Sequence, residues 1–177
     1  MSDTLITVIA IALAAILMFV FPLMTMSDRT DDVAQLTVET ATTEFVDNIR
    51  TTGKITPDNY NSFVQSITST GNTYDVEIEV KVLDENPGKK TTQTNRTTIG
   101  ENVYYSIYTS QILEVVSPDS GTPKTYGLKE GDIVSVKVKN TNQTLSQQLK
   151  NFFYTVTGND TYTIAAEHAG IVKATGK

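Results

Sequence analysis

Residues 5–26 read LITVIAIALAAILMFVFPLMTM, an apolar run interrupted only by Thr7, Pro22 and Thr25. As a helix, a run of this length crosses the roughly 30 Å hydrocarbon layer of a bilayer. Four residues precede it, Met1-Ser2-Asp3-Thr4, which include an acid and no base. A secretory signal peptide instead has a basic start, an apolar core of about 7–15 residues and small residues before the cut. Here the start is acidic, the run is longer, and Phe21-Pro22-Leu23-Met24 makes a poor cleavage site. The run is therefore expected to persist as a helix. Flanking charge does little to orient it, because no Lys or Arg precedes it and Arg29 stands among Asp28, Asp31 and Asp32. The remainder is rich in Thr, Asn, Ser and Gly, which suits an exported domain. The expected topology is a single pass with the domain outside.

Beyond Ser27 the period changes. Ala34, Val38, Ala41, Phe45 and Ile49 fall on one stripe at helical spacing, and Gly53 supplies a stop signal. Val33 and Leu36 lie off that stripe, toward the opposite side. They read either as tolerated surface hydrophobes or as a second contact face for a neighbouring subunit. A single helix over residues 5–52 would be about 70 Å long. Pro22 removes a backbone donor and crowds the Met18 carbonyl, so a kink or a short melted segment is expected there. The chain thus divides into a transmembrane or filament-core half-helix (1–26), its amphipathic continuation (27–52) and an extracytoplasmic head (53–177).

In the head, Thr56-Pro57-Asp58 opens a helix carrying Tyr60, Phe63, Val64 and Ile67, which ends near Gly71. From Thr73 to Leu83 the chain alternates, with Val76, Ile78, Val80 and Val82 on one side and Asp75, Glu77, Glu79 and Lys81 on the other. A loop over Asp84–Thr98 turns at Pro87-Gly88. Tyr104–Val116 is aromatic and β-branched and reads as one strand, and Ser117–Thr125 as a second loop. Asp132–Lys139 alternates again. Leu145, Leu149, Phe152, Phe153 and Val156 form a helical stripe, with Thr144 or Ser146 as its cap. Strands over Tyr162–Ala166 and Ile171–Ala174 close the chain. The fold class is α+β: a long helix, hydrophobic and then amphipathic, behind a small antiparallel β-rich head.

At 177 residues, the chain has room for the apolar segment and one modest domain with a single core. The chain has no cysteine, so disulfides, thiol nucleophiles and thiolate metal sites are excluded. A net charge of −6, with Lys89-Lys90 the only adjacent basic pair, argues against nucleic acid and anionic lipid as partners of the soluble part. His168 is the only histidine and has no recognisable nucleophile motif beside it. Asp75, Glu77 and Glu79 share a strand face, which a solvated charged surface explains more simply than a cation site or paired acids. Asp84-Glu85-Asn86 and Asn159-Asp160 are turn chemistry without calcium-loop spacing. No Gly-rich phosphate loop occurs. No catalytic, cofactor-binding or metal-ligating residue is assigned, and the chain is not expected to be an enzyme. Asn95, Asn142 and Asn159 match the glycosylation acceptor pattern, a mild pointer to surface loops.

The N-terminal helix carries the remaining signals. Ala10 and Ala14 sit four apart, with Ala12 and Ala15 beside them, and offer small surfaces for close helix packing. Asp3 places an ionisable group beside hydrocarbon, costly unless it snorkels or finds a partner such as the α-amino group of an adjacent chain. The segment Leu5–Leu17, continuing to Phe21-Pro22, resembles that of a type IV pilin, particularly the pilin-like subunits of Tad-type systems. In that family an apolar half-helix carries an early acid, reaches a proline near the membrane exit and continues as an amphipathic half-helix bearing a β-rich head. The resemblance implies a non-enzymatic subunit without cofactor, held in membrane lipid until it joins copies of itself or related pilins in a helical filament. By position, Asp3 takes the role of the early carboxylate and Pro22 that of the helix-loosening proline. The acid lies two positions earlier than the family's usual glutamate, and no basic leader ending in Gly precedes the helix. The resemblance spans roughly residues 1–52. The alternative from a different class is a single-pass, membrane-anchored binding or adhesion module.

Overall fold

The computed structural model describes residues 2–84, 104–154 and 163–176, without the side chains of residues 2, 149, 150 and 152–154. The expected loop after Asp84, the Lys89-Lys90 pair, the acceptor asparagines Asn95 and Asn159, Val156 and Tyr162 lie outside the described residues.

One helix, α1 (Ser2–Thr52), forms the spine. It is continuous through Pro22, so the expected melted segment does not form. A proline deletes one i→i−4 bond, and the turns on either side keep theirs. Several threonines of α1 bond back to the preceding turn. The Thr7 hydroxyl donates to the Asp3 carbonyl at 2.7 Å and the Thr25 hydroxyl to the Phe21 carbonyl at 3.0 Å. These back-bonds remove the two hydroxyls of the apolar run 5–26 as polar liabilities. At the other end, Gly53 takes φ +66° and its N–H donates to the Ile49 carbonyl at 2.8 Å, which stops the helix where glycine permits a left-handed residue.

The head wraps the second half of α1. After the short strand β1 (Lys54–Ile55), α2 (Pro57–Thr68) starts as expected, with the Thr56 hydroxyl capping the Asn59 N–H at 3.2 Å. Strand β2 (Tyr74–Leu83) follows the predicted alternation, with Ile78 and Val80 buried. The stretch read as one strand over 104–116 instead splits into β3 (Tyr104–Tyr108) and a helix, α3 (Thr109–Val116). Ladder competition explains the break. The Thr109 hydroxyl accepts from the Ile78 N–H at 2.7 Å and donates to its carbonyl at 3.2 Å, occupying the backbone groups that a longer β3 would use. Gln111 then caps the Tyr108 N–H, while Ile112 and Val116, one helical turn apart, are buried.

Strand β4 (Tyr126–Gly127) pairs with β1, β5 (Ile133–Asn140) matches its predicted position, and α4 (Leu145–Tyr154) follows. The last two expected strands are instead one, β6 (Ala165–Ile171), because β5 pairs with it continuously from Lys139↔Ala165 to Ile133↔Ile171. The main sheet is antiparallel in the order β3-β2-β5-β6. Its inner face (Val80, Val134, Val136, Val138) and the α1 stripe (Ala34, Val38, Phe45, Ile49) enclose one core, closed by Phe63 and Ile67 of α2. Phe45 and Phe63 stack with ring centres 4.4 Å apart.

Candidate functional site: the two-sided spine

All six residues singled out for assembly lie on α1, and each is exposed. Asp3, Ala10, Ala14 and Pro22 belong to the half that the head leaves uncovered. Asp3, Ala10 and Ala14 fall on one face at about 100° per residue. Val33 and Leu36 lie in the half wrapped by the head, yet both are 65% exposed, while Ala34 and Val38 beside them are buried. The side of the spine turned away from the head therefore carries two exposed hydrophobes, Val33 and Leu36, among the exposed polar residues Arg29, Asp32 and Thr40. Asp3 and Leu36 stand about 50 Å apart along the axis, so the six residues form an extended surface and not a pocket.

The polar residues that fix spine to head form the part that sequence reasoning missed. Thr144 and Gln147 make a reciprocal cap on α4: the Thr144 N–H donates to Gln147 Oε1 at 3.0 Å, and the Gln147 N–H to Thr144 Oγ1 at 3.2 Å. Thr144 Oγ1 also donates to Oδ2 of buried Asp31 at 2.6 Å, and the Ser146 hydroxyl donates to Asp28. Two carboxylates on the spine thus face the positive end of α4. Further along, Gln35 clasps the outer edge of β6, donating to the Ala165 carbonyl at 2.7 Å and accepting from its N–H at 3.0 Å. Arg50 donates to the Ile171 carbonyl at 3.2 Å and pairs with Asp47 at 2.6 Å. Asp31 was detectable as an acid on the same stripe as Ala34 and Val38, and Thr144-x-x-Gln147 as a capping box.

The other chemical candidates fall into structural roles. Asp75 and Glu77 lie directly across from Lys139 and Lys137, and Glu79 accepts from the Ser106 hydroxyl at 2.7 Å. His168 faces α1, with Nε2 3.8 Å from the Asp47 carboxylate. Asn142 is built into a turn, its Oδ1 accepting from the Thr73 N–H at 2.9 Å and its Nδ2 donating to Asn72 at 3.0 Å. Among the described residues, no three or more His, Asp or Glu side chains group as a metal site.

Also among the described residues, one helix, α1, is long and apolar enough to cross a membrane, and the apolar window within it is wholly unburied. No family model, curated protein or solved structure matches this chain.

Proposed function

We propose that the chain is a structural subunit of a cell-surface filament or pilus-like secretion apparatus, held in the membrane by residues 5–26 until it assembles with copies of itself or related subunits. The observation that carries this reading is the exposed pair Val33 and Leu36 on the side of the spine turned away from the head. A plain anchor needs an apolar segment inside the bilayer and nothing more, whereas Val33 and Leu36 stay uncovered beyond it, where water otherwise meets them. In the assembled state a neighbour's spine covers that face, the small residues Ala10 and Ala14 let helices approach closely, and Asp3 pairs with an adjacent N-terminus.

Asp3→Ala tests the assignment: the variant should insert into membranes normally and be absent from filaments purified from the cell surface. Normal incorporation would remove the carboxylate's role. Replacing residues 5–26 by an unrelated transmembrane helix separates the class of subunit from that of an anchored binding module, because only the latter tolerates the exchange.

A further inference from the structure

The underside of the head carries a second message. Contact between head and spine begins immediately past the apolar run. Ser146 bonds Asp28, and Thr144 bonds Asp31. Along a helix, Asp31 lies only about 7.5 Å beyond Met26. The headgroup layer on each side of a bilayer is about 5–7 Å deep. No stalk therefore separates the head from the end of the hydrophobic segment, and an inserted spine brings the start of α4 down to headgroup level.

The chemistry of that end fits the location. The turns that meet there, residues 70–73 and 141–145, contain Thr, Gly, Asn, Gln and Leu and not one charged side chain. They are tied together by Thr73–Thr141 and Asn72–Asn142 hydrogen bonds. Leu145 is 57% exposed between two buried neighbours, Thr144 and Ser146. The outer sheet face carries the Asp75–Lys139 and Glu77–Lys137 pairs and has a different character. The turns thus form an uncharged polar rim with one projecting leucine beside the charged stretch Asp28, Arg29, Asp31 and Asp32 of the spine, where Ser146 and Thr144 bond Asp28 and Asp31. This mixture of polar, charged and apolar groups just past an apolar helix suits the headgroup boundary of a bilayer.

We propose that turns 70–73 and 141–145, with Leu145, form a membrane-seating surface that rests the head on a zwitterionic headgroup layer before assembly. The proposal depends on the reading of residues 5–26 as membrane-inserted. Seating holds the spine upright and keeps Val33 and Leu36 just above the lipid, where an arriving subunit meets them.

The chain contains no tryptophan, so single-tryptophan variants of the full chain report one position each. Leu145→Trp, Gln143→Trp, Ile16→Trp and Ile171→Trp are reconstituted in phosphatidylcholine vesicles whose chains carry bromine either near the glycerol end or near the chain ends. Leu145→Trp and Gln143→Trp should lose roughly twofold in emission with the shallow quencher, since an indole held at headgroup depth sits where aromatic belts occur. Ile16→Trp should respond to the deep quencher. Ile171→Trp, at the end of β6 that Arg50 holds, should respond to neither. Quenching of Ile16→Trp without either base variant overturns the seating surface and leaves the anchor intact. Loss of all quenching overturns both. Equal quenching at Ile171 and Leu145 would mean the head lies on its side, which also overturns the proposal.

Discussion

Gly53 is the residue where three chain segments close on one another. Its φ of +66° is a left-handed conformation, its carbonyl accepts from the Leu128 N–H at 2.7 Å, and a Cβ there would sit 2.1 Å from the Ala174 carbonyl oxygen. Gly71 has a similar φ, +82°, but open space where its Cβ would point. The pair separates two costs that usually arrive together. Alanine at either position pays about 1–2 kcal/mol for the left-handed backbone. Only at position 53 must the C-terminal segment also move away, since the clash is with backbone and not with a flexible side-chain tip. Gly71→Ala should therefore lower stability by about 1 kcal/mol and Gly53→Ala by at least about twice that. Urea midpoints of the full chain in detergent measure both, and equal midpoints would mean that the junction around Ala174 and Gly176 is not held as tightly as its geometry indicates.

At the scale of elements, α2 and the β1–β4 ribbon each lean on a tyrosine. Tyr60 of α2 packs against Phe45 of α1 with ring centres 6.4 Å apart, and burial raises its phenol above the ordinary value of about 10. Tyr126 of β4 is raised by burial first, and then by negative charge on Tyr105 and Asp132. An acid whose folded pKa lies above its unfolded one binds its proton more tightly when folded, so the associated stability is complete below about pH 10 and falls as pH rises through the folded value. Denaturation midpoints should hold steady up to about pH 10 and then drop, and the drop should shrink in a Tyr60→Phe, Tyr126→Phe double variant. An unchanged drop would place the alkaline weakness elsewhere. The same elements show what sequence could and could not reveal. The α1 stripe, the start of α2, the alternation of β2 and β5 and the onset of α4 are local patterns, and all are legible. The β3–α3 break is not, because it depends on Thr109 competing for the backbone of Ile78, a partner 31 positions away. Nor is the unity of β6, whose Glu167–Gly170 stretch has little strand propensity and is held by continuous pairing to β5. The spine was legible as a periodicity. Of the polar clamp formed by Asp31, Gln35 and Arg50, sequence offers Asp31 on the buried stripe but no pairing, since each finds its partner more than 100 residues away.

For the whole molecule, one helix must satisfy two environments in succession. On the proposed reading, its first half meets lipid and then, in the filament, other helices, and its second half is shared between the head on one side and a neighbour on the other. The division predicts opposite consequences for residues only a few positions apart. Val38 is fully buried, so Val38→Asp places a charge in the core and should unfold the head. Val33 and Leu36 are each 65% exposed, so a Val33→Asp, Leu36→Asp double variant should stay within about 0.5 kcal/mol per site of wild-type stability. In a filament, however, the same two aspartates would be buried against a neighbour's apolar surface with no partner, a cost of several kcal/mol per subunit repeated at every contact. The double variant should therefore accumulate in the membrane as a folded monomer, with an unchanged urea midpoint, and be missing from filaments seen by electron microscopy of shed surface material. Filaments of normal abundance containing it would show that this face points to solvent in the assembly, leaving Val33 and Leu36 as ordinary surface hydrophobes. A lowered midpoint together with lost filaments would show that the head itself uses them. Only a stable fold combined with failed assembly assigns the second face of the spine to a neighbouring subunit.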